Sequence, residues 1–107
     1  MATQKETVNY ILERLDDNAT FSVRPMFGEY SLYVDGKVVA LIADDTLYVK
    51  ILPASAELES ICEKGPPYPG AKLCYIVTED QLFSITNLPT ILIAIAQALP
   101  AKKLKLK

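Results

Sequence analysis

The sequence predicts an α+β domain of two layers, in which a five-stranded antiparallel sheet, a β-meander plus a later strand, is covered by N-terminal, middle and C-terminal helices. Three observations lead there. Residues from Phe21 to Ile51 follow the period of two that marks strands, and turn-forming residues divide them into segments. Both ends of the chain repeat apolar residues at helical spacing instead. The 107 residues, half of them apolar, suit one hydrophobic core and hence a single domain, 1–100, followed by a basic tail, 101–107.

Thr3-Gln4-Lys5-Glu6 has the form of a capping box, and Val8, Ile11, Leu12 and Leu15 then share one helical face. The first helix is expected from about Gln4 to Asp16. Asp16-Asp17-Asn18 ends it, because short polar side chains compete for the backbone, and two acids there oppose the helix dipole. In the first strand Phe21, Val23 and Pro25 oppose Ser22, Arg24 and Met26; Pro25 makes it an edge strand or gives it a bulge. Gly28 lets the chain turn or bulge where a β-carbon would clash.

The second strand, Glu29 to Val34, sets Tyr30, Leu32 and Val34 on one side and Ser31 and Tyr33 on the other. Asp35-Gly36 follows as a two-residue type I′ hairpin, because both central positions of that turn need positive φ. Lys37 to Ala43 is almost continuously apolar, which fits a central strand covered on both faces or a dimer contact. Asp44-Asp45 makes the next turn, and Thr46 to Ile51 is the fourth strand, with Leu47, Val49 and Ile51 inward.

Pro53 suits the first turn of a middle helix, whose stripe is Leu58, Ile61 and Cys62 and whose end is Gly65. The loop Gly65-Pro66-Pro67-Tyr68-Pro69-Gly70-Ala71-Lys72 is stiffened by prolines, hinged at its glycines, and displays one aromatic. Leu73 to Thr78 reads as the fifth strand. Glu79 to Asn87 either opens with a capping box, Thr78-Glu79-Asp80-Gln81, or is a lead-in loop. Leu88, Leu92, Ile95 and Leu99, flanked by Ile91 and Ala96, predict a last helix from Leu88 to Leu99, halted by Pro100. The tail carries four lysines in seven residues and is expected to be disordered or to make a minor electrostatic contact.

Composition narrows the chemistry. A net charge of −2 provides no basic field for phosphate-dominated DNA binding. With no histidine, the commonest neutral-pH base and metal ligand is missing, and nucleophiles that depend on histidine are excluded. Cys62 and Cys74 lack paired zinc spacing and read as small buried hydrophobes. The pairs Asp16-Asp17, Asp44-Asp45 and Glu79-Asp80 fall at turns and element ends, where acids serve as caps and solvated charges. The glycines match no phosphate or dinucleotide motif. No enzyme activity, cofactor or metal is expected. The absence of a charged leader and of an apolar run of ~20 residues points to the cytoplasm and away from a membrane.

What remains is a supply of aromatics on strands and loops: Phe27, Tyr30, Tyr33, Tyr48, Tyr68 and Tyr75. Tyrosine is enriched at protein interfaces, so Tyr33, Tyr68 or Tyr75 is either part of a contact patch or core whose hydroxyl reaches the surface. Arg24 either pairs with Glu29 or Asp35 or projects beside the Tyr68 loop.

The run Arg24-Pro25-Met26-Phe27-Gly28-Glu29-Tyr30, then Leu32-Tyr33, Asp35-Gly36-Lys37 and Leu47-Tyr48-Val49-Lys50, resembles the N-terminal domain of the TfoX/Sxy family. Pro67-Tyr68-Pro69-Gly70-Ala71-Lys72 with Tyr75 is similar to that family's later loop and strand. Ser31 departs from it, since many relatives have a second glycine after the aromatic. The resemblance implies a secretion-chaperone-like two-layer fold and a role in regulating natural competence genes. It also implies a C-terminal helical domain in full-length members, for which these residues leave no room.

The expected function is therefore a regulatory or adaptor module that binds a protein partner, such as a transcription factor, or a second copy of itself. Its sheet edge and tyrosine-bearing loop would make the contact, through Arg24, Met26, Phe27, Gly28, Tyr30, Tyr33, Tyr68, Pro69, Gly70, Lys72 and Tyr75. The alternatives are a nucleic-acid-associated module using Arg24, Lys37, Lys50, Lys72 and the tail, and a small-ligand pocket between the sheet and the middle helix.

Overall fold

The computed structural model describes residues 5–15, 21–26 and 29–99, without the side chains of Arg14, Met26 and Phe83. The capping box at Thr3, the turn at Asp16-Asp17-Asn18, the bend at Gly28, the stop at Pro100 and the tail lie outside the described residues.

Helix α1, Lys5–Leu15, turns Val8, Ile11 and Leu15 into the core, as its spacing predicts. Strands β1, Phe21–Met26, β2, Glu29–Val34, β3, Lys37–Ala43, and β4, Thr46–Lys50, form the predicted meander. A 3₁₀ helix, Pro53–Leu58, and a short strand β5, Glu63–Gly65, follow. Strand β6, Cys74–Val77, helix α2, Glu79–Ser84, and helix α3, Leu88–Ala98, complete the chain. All pairings are antiparallel, in the order β1-β2-β3-β4-β6-β5.

Two matching hairpins set the meander. Asp35 and Gly36 have φ of 52° and 80°, and Asp44 and Asp45 have 51° and 59°, so both two-residue turns carry the positive angles of type I′. Glycine adopts them freely. Aspartate tolerates them because its short polar side chain bonds locally. Glu29 braces the second turn by accepting from Asp44 N at 3.1 Å.

Between β2 and β3 the register steps: Leu32 lies opposite Ala40 but Tyr33 opposite Val38, leaving Val39 as the extra residue of a bulge. Val39 and Ala40 are consequently both fully buried, which accounts for the unbroken apolar run of this interior strand.

The sheet has six strands rather than five. The three residues of β5 are too few to show a period, and they pair along the far side of β6, Glu63 opposite Ile76. The middle helix also departs from expectation, being a 3₁₀ segment kinked at Ser55 that ends at Leu58. Inside it Ser55 leaves helical geometry, and its buried hydroxyl accepts from Leu52 N at 3.0 Å while donating toward Lys50 O at 2.7 Å. That bond ties the segment to the end of β4. Ile61 is therefore half exposed rather than part of a stripe, although Cys62 is buried, and Ile51, expected inward, is 36% exposed because β4 ends at Lys50.

The ambiguous stretch after β6 resolves as a capping box. Gln81 N donates to Thr78 Oγ1 at 3.3 Å and Thr78 N donates to Gln81 Oε1 at 3.0 Å, satisfying two donors at the start of α2. Helix α3 buries Leu88, Ile91, Leu92, Ile95 and Ala96. These residues join Leu32, Val34, Ile42, Leu47, Val49 and Val77 in one core, so the helices cover one face of the sheet.

Candidate functional site: the open face of the sheet

The other face follows from the same alternation. Ser31 lies opposite Leu41, Leu41 opposite Tyr48 and Tyr48 opposite Ile76, a row that crosses four strands. Beside it Tyr33 faces Val38 and Lys50 faces Cys74. Cys74 is buried, yet it stands apart from the core cluster that includes Cys62.

The loop between β5 and β6 folds toward this face. Ala71 N donates to Tyr68 O at 3.0 Å, and Gly70 has φ of 87°, so Tyr68-Pro69-Gly70-Ala71 has the bond and the glycine angle of a type II turn. Proline and glycine are the residues its two central positions favour. Pro67 is buried, whereas Tyr68 and Leu73 remain 48% and 55% exposed. Loop and sheet together enclose a groove of about 560 Å³, walled by Tyr33, Leu41, Tyr48, Pro67, Tyr68 and Leu73.

Among the described residues lining it, only Lys50 and Lys72 are charged. Neither has a carboxylate partner among the described residues; the ion pair present there is Lys64 with Glu59. Burial raises the Tyr48 phenol above its ordinary pKa, with Asp44, Cys74 and Glu29 adding to the shift. Burial also raises the Cys74 thiol, against the opposing charge of Lys50. The groove lining is thus electropositive at Lys50 and Lys72.

Tyr33, Tyr68 and Lys72 of the predicted contact residues come together here, with Pro69 and Gly70 shaping the turn that presents Tyr68. Arg24 adjoins them: its guanidinium sits 5.6 Å from the centre of the Tyr33 ring, a cation–π distance. Tyr30 packs instead against the core on the helix side. Of the two readings of Tyr75, contact patch or core with an outward hydroxyl, the structure has the second, with the residue only 2% exposed. Its hydroxyl donates to Glu59 Oε1 at 2.9 Å, and Lys64 bonds the same carboxylate at 2.8 Å while lying 6.0 Å from the Tyr75 ring. These bonds, Lys64 first and Tyr75 second, hold the Glu59 carboxyl below its usual pKa. Phe27, Gly28 and the Met26 side chain lie outside the described residues.

Leu41, Tyr48, Pro67 and Leu73 are groove residues outside the predicted contact set, although Tyr48 is among the aromatics noted and Pro67 belongs to the proline-rich loop. Three of them carry a signal: Leu41 and Tyr48 alternate with the inward Ile42 and Leu47, and Leu73 adjoins the proline-rich loop. Between the sheet and the middle helix, where the alternative ligand pocket is expected, Leu58 is fully buried in the core. Lys37, counted among the nucleic-acid cations, bonds the end of α3 instead. Asp44 and Asp45 are turn residues, and Glu79 and Asp80 occupy the first turn of α2, where their charge suits the helix dipole. Among the described residues no three His, Cys, Asp or Glu side chains gather to hold a metal ion. No described helix is long and apolar enough to cross a membrane.

Fold and groove together define a small two-layer α+β domain whose sheet is packed on one face and presents a proline-bordered aromatic groove on the other. The chain belongs to the TfoX N-terminal domain family, whose model matches residues 13–83. It is also similar to an uncharacterized 12.7 kDa protein in the trpE 5′ region of Spirochaeta aurantia, at 37% identity over 103 residues, which cover 96% of this chain and 89% of that protein.

Proposed function

We propose that the protein is a non-enzymatic regulatory or adaptor module that acts in transcriptional regulation by binding a protein partner on the open face of its sheet. The observation that carries this reading is the cluster of exposed large apolar side chains at the groove, Ile51, Tyr68 and Leu73, beside Tyr33 and Tyr48. Rigid aromatics over an apolar floor are the composition of interface hot spots. Family membership supports the regulatory part of the reading, and the lack of histidine supports the non-enzymatic part.

The face is favoured over the sheet edge that the sequence first suggested. Edge strand β1 carries Pro25, and the opposite edge, β5, offers three residues before Pro66. Proline and shortness are both devices that discourage strand addition. Capture of partners from a lysate of the source organism, compared between the wild type and the folded variants Tyr68→Ala and Leu73→Ser, tests the reading. Specific partners recovered by the wild type are expected to be lost from both variants, and equal recovery would remove the groove from the interface.

A further inference from the structure

We infer that the groove takes an acidic peptide segment with an aromatic or aliphatic anchor, the anchor entering between Tyr48 and the loop and the carboxylates meeting Lys50 and Lys72. The inference rests on the reading of the open face as a protein-docking surface and specifies the chemistry of the partner. Its basis is a mismatch between the charge of the groove and that of the chain. The chain has 13 acidic and 11 basic residues, yet the described lining residues contribute two lysines and no carboxylate. Both ammonium groups lack acidic partners among the described residues, and Arg24, stacked on Tyr33, adds a third cation beside the groove.

The charges at the two ends of β4, one in the groove lining and one outside it, also set a direction. Lys50 ends β4 opposite Cys74, whereas Asp44 lies in the turn that opens β4 and bears on Tyr48 together with Glu29. An acidic segment is attracted to the first end and repelled from the second, so it has one preferred orientation. The apolar walls require more than charge. Leu41, Tyr48, Pro67 and Leu73 would gain nothing from a purely acidic chain, and a volume near 560 Å³ falls within the usual range for binding cavities. Nucleic acid fits less well, because a few cations beside an apolar cleft do not track a phosphate backbone.

The test uses the full chain and two fluorescein-labelled synthetic peptides, read by fluorescence anisotropy. One is an eight-residue peptide in which leucine, phenylalanine and leucine are interspersed with glutamates; the other has glutamine at every glutamate. The acidic peptide is expected to bind about tenfold more tightly at low salt, from two partly exposed charge pairs, and the preference should shrink as salt rises. The double variant Lys50→Gln/Lys72→Gln should bind both peptides equally, while Tyr68→Ala weakens both. Circular dichroism and the thermal midpoint check that each variant is folded.

Equal affinity of the wild type for the two peptides, or an acidic preference that survives in the double variant, overturns the inference. Equal affinities that Tyr68→Ala still reduces leave the docking surface standing without charge selection. If neither peptide binds, the inference fails, and lysate capture decides the docking reading separately. Sedimentation of the wild type as a dimer that Tyr68→Ala converts to a monomer would assign the groove to a second copy and overturn the acidic-peptide inference.

Discussion

The Lys37 ammonium donates to the carbonyl oxygen of Ala96 at 2.9 Å and to that of Leu99 at 3.3 Å, so the first residue of β3 closes the end of α3. Carbonyls in the last turn of a helix have no partner within it, and the dipole places negative charge there. Both needs are met by one half-buried lysine, about sixty positions away in the chain, that pins the last helix to the sheet. Lys37→Met keeps the aliphatic stem and removes the donor. It is expected to lower stability by about 1–2 kcal/mol in urea unfolding. Lys50→Met, which removes no such bond, should change it by less than about 0.5 kcal/mol.

The two type I′ turns predict different outcomes for two small substitutions. Gly36 has φ of 80° with nothing within 4 Å of an added β-carbon, so Gly36→Ala meets no clash and is opposed by backbone strain alone. A cost of about 1 kcal/mol is expected. Asp45 occupies the matching second position at 59°, where glycine is the preferred residue. Asp45→Gly relieves that strain and loses the interactions of its carboxylate, among them the exposed bond from Thr7 Oγ1 at 2.9 Å. Relief of strain offsets the lost bonds, so stability in urea unfolding should change by less than about 1 kcal/mol, against the loss expected for Gly36→Ala.

These turns were legible in the sequence because their chemistry is local: Asp35-Gly36 specifies its own backbone angles. The same holds for the apolar stripe of α3, whereas the capping box at Thr78 is only one of two readings the sequence allows for its segment. The groove is different in kind. Alternation placed Ser31 and Tyr33 on the face away from the core, yet nothing within reach of those residues tells that Pro67 and Tyr68 fold over them. Tyr75 stays open between core and surface in the sequence because Cys74, Tyr75, Ile76 and Val77 are all apolar and give no phase to the strand. The 3₁₀ segment is not legible in the sequence, because Ser55 reads there as an ordinary polar position and acts only through its bonds to Leu52 and Lys50.

Stability should be flat near neutral pH and fall on the alkaline side. Burial raises the thiols of Cys62 and Cys74, and burial followed by nearby acids raises the phenols of Tyr48 and Tyr75. A raised pKa favours the protonated group in the folded state. Its contribution is complete below the unfolded pKa and is lost as pH rises through the folded one. With unfolded values near about 8.5 for cysteine and about 10 for tyrosine, the loss begins above roughly pH 8.5. Glu59 has the opposite sign: its lowered pKa stabilises above the ordinary carboxylate range, and that contribution is lost as pH falls through the depressed value. No histidine titrates between these limits. Urea midpoints at pH 6, 7.5 and 9.5 should agree at the first two and drop at the third. The double variant Cys62→Ala/Cys74→Ala should move the onset of the alkaline drop toward the tyrosine range.

Tyr68 and Tyr75 make the sharpest contrast between binding and folding. Tyr75 points into the core with 2% exposure, its hydroxyl held by Glu59, while Tyr68 stands 48% exposed on a turn that proline and glycine already define. Tyr75→Ala removes a large ring from a packed interior, which typically costs about 3–5 kcal/mol. Tyr68→Ala leaves the backbone of its turn intact, because Pro69 and Gly70 supply the central positions, and should change stability by less than about 0.5 kcal/mol. Partner binding should reverse the order: Tyr68→Ala should weaken it at least about tenfold, as expected for an aromatic anchor worth more than 1.4 kcal/mol. Measuring unfolding midpoints and peptide affinities on the same samples separates the two effects. Loss of binding in a Tyr68→Ala protein as stable as the wild type would mark this side chain as a contact. A large loss of stability would instead mean that the proline-rich loop is part of the core, and the groove would then be a feature of packing alone.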